Sequence, residues 1–185
     1  MKKFGVLALS LSIFSLVAFT QHSSANDRLI TLEPVTLAEL AGSWKTVCTL
    51  VGGASEVSQL TFTAGGEVTD QANVYLGPDC KSGYYTSASK LDFSLNSDHL
   101  SATATPFDAM LQFESAAAVT AANTAPGVCG LTNWRLGVAQ TIIGRDCSPR
   151  DTVKLKIGKV NATTIRIEVC AVDGTACRSA DYIRQ

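Results

Sequence analysis

Thr36-Leu37-Ala38-Glu39-Leu40-Ala41-Gly42-Ser43-Trp44-Lys45-Thr46-Val47-Cys48 is the stretch that decides the fold. Thr36 and Glu39 stand in capping-box spacing, in which a hydroxyl and a carboxylate each satisfy an orphan N–H at a helix start. Gly42 supplies the left-handed stop that ends a short helix. From Ser43 onward large apolar residues come singly, led by Trp44. The stretch therefore predicts one helical turn closing against a first strand, Ser43 to Val51, which Gly52-Gly53 terminates.

Downstream the pattern is strand upon strand. Leu60, Phe62 and Ala64 alternate with Gln59, Thr61 and Thr63, the period-two signature of a strand with one face on a core, and Gly65-Gly66 turns the chain into Glu67 to Leu76. A loop at 77–83, Gly77-Pro78-Asp79-Cys80-Lys81-Ser82-Gly83, precedes Tyr84 to Leu95, where Leu91, Phe93 and Leu95 share one side, and Asn96-Ser97-Asp98 leads into His99 to Thr105. Met110 to Thr120 and Gly130 to Ile143 read as strands, with Ala121 to Val128 between them as the longest and most mobile loop. Beyond the first turn, no segment has helical periodicity long enough to predict a helix. Near the C-terminus, Val153, Leu155 and Ile157 and then Ile165, Ile167 and Val169 mark two strands of a meander. Their connection at Asn161 must hold an odd number of residues to keep both apolar sets on one face.

Asp173-Gly174 is a favoured two-residue hairpin turn. That turn sets a register in which Cys170 faces Cys177, Ile167 faces Ala180, Arg166 faces Asp181 and Ile165 faces Tyr182. Directly opposite residues lie within disulfide range, so Cys170–Cys177 is expected. The full prediction is an all-β domain, a single antiparallel up-and-down barrel of about eight to ten strands with one short N-terminal helical turn.

Residues 1–25 read as an export signal: Lys2 and Lys3, an apolar run from Phe4 to Phe19, and small residues up to Ala25. An extended leader, 26–35, is expected to follow, then the barrel at 36–185. The apolar run is shorter than a membrane span requires, and no later segment is longer or more apolar. Removing Lys2 and Lys3 leaves 13 basic against 16 acidic residues, which excludes the basic footprint of a nucleic-acid binder. All six cysteines follow the signal, and an even count in an exported chain implies a disulfide framework with 15 possible connectivities for six cysteines. Zinc sites use closely spaced cysteines or accompanying histidines; here the closest spacing is seven and only His99 remains, so no metal site is expected. Cys48 and Cys80 are placed to meet at one end of the barrel, the end closed by the helical turn, and Cys129 and Cys147 flank the strand around Trp134 and remain to pair.

The helical turn followed by Gly42-x-Trp44 resembles the lipocalin and wider calycin pattern. Leu40 to Cys48, Leu60-Thr61-Phe62 and Asp79-Cys80 together resemble small bacterial exported proteins and the module of the Wnt-inhibitor family called adenomatosis polyposis coli down-regulated. The likeness covers residues 37–95. It implies a turn that plugs one barrel end, a Trp beneath it, and a late Arg across the ring; the hairpin register makes Arg184 that residue. The chain lacks a mid-chain Thr-Asp-Tyr and a helix after the barrel.

No catalytic residue, metal or cofactor is expected. His99 beside Asp98 suits a turn, and Glu67, Asp70, Asp146 and Asp151 read as solvated surface near turns. Tyr75, Tyr84, Phe113 and Trp134 are candidates to line a pocket, with Tyr85 and Phe107 beside them. An eight-stranded barrel either fills with side chains or holds one small ligand. The expected function is an exported, periplasmic or extracellular, non-enzymatic protein holding an apolar small molecule or lipid. The alternative is a secreted scaffold engaging a protein partner through its long loop.

Overall fold

The structure, a computed structural model, describes residues 31–51, 53–149, 151–170 and 177–185, with the side chains of Cys170 and Cys177 outside the description. The expected signal and the first half of the leader, 26–30, lie outside the described residues. The opening stretch forms α1 (Leu37–Leu40) and β1 (Gly42–Lys45). Thr36 Oγ1 accepts the Glu39 N–H (3.2 Å) while the Glu39 carboxylate accepts the Thr36 N–H (2.8 Å), so the capping box is complete. Gly42 sits at φ +117°, a conformation that L side chains rarely adopt, and turns the chain from α1 into β1.

Strands β2 (Thr49–Val51), β3 (Ala54–Phe62), β4 (Glu67–Leu76), β5 (Ser82–Leu95) and β6 (Ser101–Phe113) follow, then β7 (Gln140–Thr141), β8 (Val153–Asn161), β9 (Thr164–Cys170) and β10 (Cys177–Arg184). Every strand pairs antiparallel, and β1 pairs with both β10 (Trp44 with Arg184) and β3 (Trp44 with Leu60). That double pairing closes an eight-stranded barrel of β1, β3, β4, β5, β6, β8, β9 and β10. The single first strand expected over 43–51 is broken: Thr46, Val47 and Cys48 leave the ladder, and β2 resumes it on β3. The Thr46 hydroxyl accepts the Ser58 N–H (2.9 Å) and keeps the break attached.

The hairpin register stands as the Asp-Gly turn dictates: Cys177 opposite Cys170, Ala180 opposite Ile167, Asp181 opposite Arg166 and Tyr182 opposite Ile165. The Cys170–Cys177 bridge itself lies outside the described residues. On the outer face Arg166 donates twice to Asp181, at 2.6 and 2.9 Å. At the β8–β9 turn, two residues plus the extra Val160 at a register shift make up the odd count that keeps Ile157 opposite Ile167.

The middle of the chain departs from expectation. Residues 116–123 form α2 (Ala116–Asn123), and β6 stops at Phe113, so neither the strand to Thr120 nor the loop beginning at Ala121 exists. Ser115 caps the helix by accepting the Ala118 N–H, and Ala118 and Ala122, one turn apart, are its buried residues. Of the strand expected over 130–143 only Gln140–Thr141 forms a strand, paired with Leu111 and Met110, while Leu131 and Leu136 make isolated bridges to Val128 and Phe113. Its physical role is to cover β6: β8 pairs with β6 only along Ser101–Ala104, and the segment carrying α2, Trp134 and Ile142 covers Ala109, Leu111 and Phe113 beyond.

Leu32 to Val35 runs along the barrel: Glu33 and Lys159 exchange backbone hydrogen bonds and Val35 is buried. Gly158 lies beneath, where a Cβ would meet Leu32 Cβ at 2.6 Å and the Glu33 oxygen at 2.9 Å. Gly158→Ala is therefore expected to cost about 1–3 kcal/mol by overpacking. Proteolysis should cut the displaced leader at residues 31–35 sooner than in the parent, and unchanged cleavage would refute the contact.

Candidate functional site

Two halves of the barrel interior differ in chemistry. At the α1 end the wall is large and apolar: Trp44, Leu60, Phe62, Val68, Leu91, Phe93, Leu155, Ile157, Ile165 and Ile167 are buried together. The void among them is about 10 Å³, lined by Leu60, Phe62, Val68, Leu91, Phe93, Ala104, Leu155 and Ile167, which is at the lower limit for a single water. This end is sealed. Trp44 Nε1–H donates to the Leu40 carbonyl (2.6 Å), the Arg184 guanidinium stacks 4.5 Å from the ring centroid, and Arg184 also donates to the carbonyls of Ala41 (3.5 Å) and Glu39.

Toward the other end the same strands carry small and polar groups inward. Reading across β3, β4, β5 and β6, one row is Leu60, Asp70, Ser89 and Ala109, the next Ser58, Ala72, Ser87 and Leu111, the next Glu56, Val74, Tyr85 and Phe113. A bulge at Phe107 keeps Ala109, Leu111 and Phe113 on the face that Ala102 and Ala104 begin. From β10, Tyr182 is buried beside the carboxyls.

Asp70 is 6% exposed and Glu56 likewise 6%. Asp70 is thus a correction: the side chain expected on solvated surface faces the barrel interior, because β4 alternates and Val68, Ala72 and Val74 lie on the same face. Glu67, Asp146 and Asp151 are exposed. Ser58 Oγ–H donates to Glu56 Oε1 (2.8 Å). No hydrogen bond among the described residues reaches the Asp70 carboxyl. Since no sealed side-chain oxygen or nitrogen among them lacks a partner, the Asp70 oxygens are not completely sealed by packing.

Burial pushes the Glu56 carboxyl up to about 7, opposed by the Ser58 hydrogen bond. Burial, reinforced by Glu56, pushes Asp70 up to about 8. Tyr85 is pushed up to about 12 by burial, with Glu56 and Tyr84 adding, and Tyr182 rises well above the ordinary tyrosine value by burial and the two carboxyls. This is the behaviour of acids withdrawn from water without a cation.

Among the sequence-predicted residues, Phe113 and Trp134 are buried against each other, edge to face at 5.0 Å, and Trp134 is held by Asn123 and by the Val128 carbonyl. Tyr84 is half-buried at their margin, its ring 5.8 Å from Tyr85. Tyr75 pairs with Ser55, on the face of the sheet opposite Glu56. Only Tyr85, at 6.4 Å from Phe113, links the aromatic group to the acidic wall. Glu56, Ser58, Asp70 and Tyr182 were missed, although the parity of Leu60 and Val68 points inward at each carboxyl. His99 is exposed, with Nδ1 3.2 Å from the Val35 carbonyl, and Asp98 accepts from Leu100 and Ser101 in its turn.

Cys48–Cys80 and Cys129–Cys147 are bonded, with Cα separations of 6.0 and 5.2 Å. The first does not tie the sealed end. Cys80 follows β4 and its N–H donates to Ser55 (3.1 Å), at the far end from Trp44, because β3 returns to the plug end and β4 then runs away from it before that loop. No group of three or more His, Cys, Asp or Glu among the described residues is arranged to hold a metal.

No family model and no curated protein matches the chain. A solved structure it resembles is a redesigned β-barrel, mFAP1, bound to DFHBI, at 12% identity and a TM-score of 0.34, covering 80% of this chain and 97% of that one.

Proposed function

We propose that this is a non-enzymatic binding protein that takes one small molecule into the half of the barrel away from α1. The observation that carries this reading is the contrast along one set of strands. Large apolar side chains fill one half, whereas the inward rows of the other half carry the small residues Ser58, Ala72, Ser87, Ser89 and Ala109 between Val74, Tyr85, Leu111 and Phe113. An interior of eight strands that is not filled by side chains has room for one small ligand. The ligand expected from the sequence, an apolar small molecule or lipid, suits the Tyr85 margin, and the two carboxyls require that it bring a polar group as well. The lipocalin kinship rests on Gly42, Trp44 and Arg184. Export rests on residues 1–25 and on the disulfides, which persist in oxidising compartments. No helix of the described residues is long and apolar enough to cross a membrane. The scaffold alternative loses its long loop, since Ala118 and Ala122 of α2 are part of the core.

A neutral environment-sensitive fluorophore should bind saturably, one per chain, and Ala72→Trp, which fills the space, should abolish binding while the protein remains folded. Absence of binding by the parent would overturn the proposal.

A further inference from the structure

We infer that the molecule held in this barrel carries a cationic nitrogen, an ammonium or amidinium, seated between Glu56 and Asp70. The inference rests on the binding-protein reading above and names the chemical class of its ligand. Glu56 and Asp70 reach the interior from adjacent strands, two residue rows apart on one face. Asp70 is more than nine-tenths buried, accepts no hydrogen bond from any described residue, and is not completely sealed by packing. A carboxyl kept for structure alone is normally saturated with donors; this one is left for a donor that the chain does not supply.

The groups facing the pair decide the sign of the ligand. They are Ser58, Tyr85 and Tyr182, with Tyr84 behind Tyr85, and no cation among the described residues acts on either carboxyl. Arg178, further along β10, is exposed. An anionic ligand would meet two acids. A neutral ligand leaves the carboxyls protonated, whereas a cation favours the ionised form of a carboxyl beside it. In the empty barrel the pair holds its protons near neutrality, so seating a cation must expel protons to solvent, and affinity must rise with pH.

Competition against the bound neutral fluorophore tests this, with phenethylamine as cation, phenethyl alcohol as neutral counterpart and phenylacetate as anion. The amine should compete at least tenfold better than the alcohol at about pH 8, with phenylacetate weakest, and its advantage should shrink toward about pH 6, across the range where the pair protonates. In Asp70→Asn and in Glu56→Gln, each shown folded by its melting transition, the amine-to-alcohol ratio should fall roughly tenfold and lose its pH dependence. Equal competition by amine and alcohol in the parent, or an unchanged ratio in both variants, would overturn the inference while leaving the binding reading intact. Failure of the fluorophore itself to bind removes both.

Discussion

Trp44→Ala is expected to lower the free energy of unfolding by about 3–5 kcal/mol, the range for deleting a buried aromatic side chain, and the melting temperature by roughly 10 °C. Three contacts fail together. The ring is 3% exposed within the main core. Its Nε1–H is the donor to the Leu40 carbonyl, and a buried acceptor left unmade costs about 1–3 kcal/mol. Arg184 loses the face it stacks on, and with it the alignment that lets its fork reach the α1 carbonyls. Trp44→Phe separates these effects, since it keeps most of the ring and removes only the donor; about 1–3 kcal/mol is expected. Arg184→Lys keeps the charge but not the planar fork, and should fall nearer Trp44→Phe than Trp44→Ala. Denaturant midpoints measure all three. A Trp44→Ala loss below about 1 kcal/mol would mean that α1 lies on the barrel without closing it.

That closure was legible in the sequence because each part is a local signal: a capping box, a glycine at positive φ, a Trp at fixed spacing. The C-terminal hairpin was legible for a similar reason, since the turn expected at Asp173-Gly174, itself outside the described residues, implies the register that the pairs from Cys170 to Tyr182 show. Residues 114–150 were not, and the cause is physical. Ala116 to Asn123 has no large apolar residue beyond Val119 to mark a face, so its helix shows only as Ser115 and a run of alanines. Its stability comes from covering β6 where β8 departs, a tertiary fact with no local trace. The acidic wall was legible and misread. Parity from Leu60 and Val68 carries Glu56 and Asp70 inward, but the ordinary expectation that carboxylates are solvated overrode the alternation.

Stability should fall as pH rises from about 4 to about 8, and Asp70→Asn should abolish much of that fall. Glu56 and Asp70 have folded values of about 7 and about 8 against ordinary values of 4.5 and 3.8. Below the ordinary values both states carry protonated, neutral carboxyls and the full stability is present. As pH climbs, the unfolded chain releases protons that the folded chain retains, so unfolding gains free energy until the folded pair ionises as well. At about 1.36 kcal/mol for each pH unit of offset, the loss between pH 5 and pH 8 is on the order of 6 kcal/mol.

On the acid side the exposed Glu39 carboxylate, held down to about 2 by the Lys159 hydrogen bond and by Thr36, loses its contribution as pH falls from about 4.5 toward 2. Asp98, lowered by the Leu100 and Ser101 donors, acts in the same direction. Maximal stability therefore belongs near pH 4 to 5, on the boundary between the two effects. Thermal melts of the parent and of Asp70→Asn at matched ionic strength measure the slope. A parent curve that is flat from pH 5 to 8, or a variant curve parallel to it, would show that the carboxyls are not withdrawn from water as the structure places them. With the expected slopes, the variant is the more stable protein at pH 8 and the one that has lost its preference for a cation. That pairing of gained stability with lost recognition is what a site held at a cost to the fold produces.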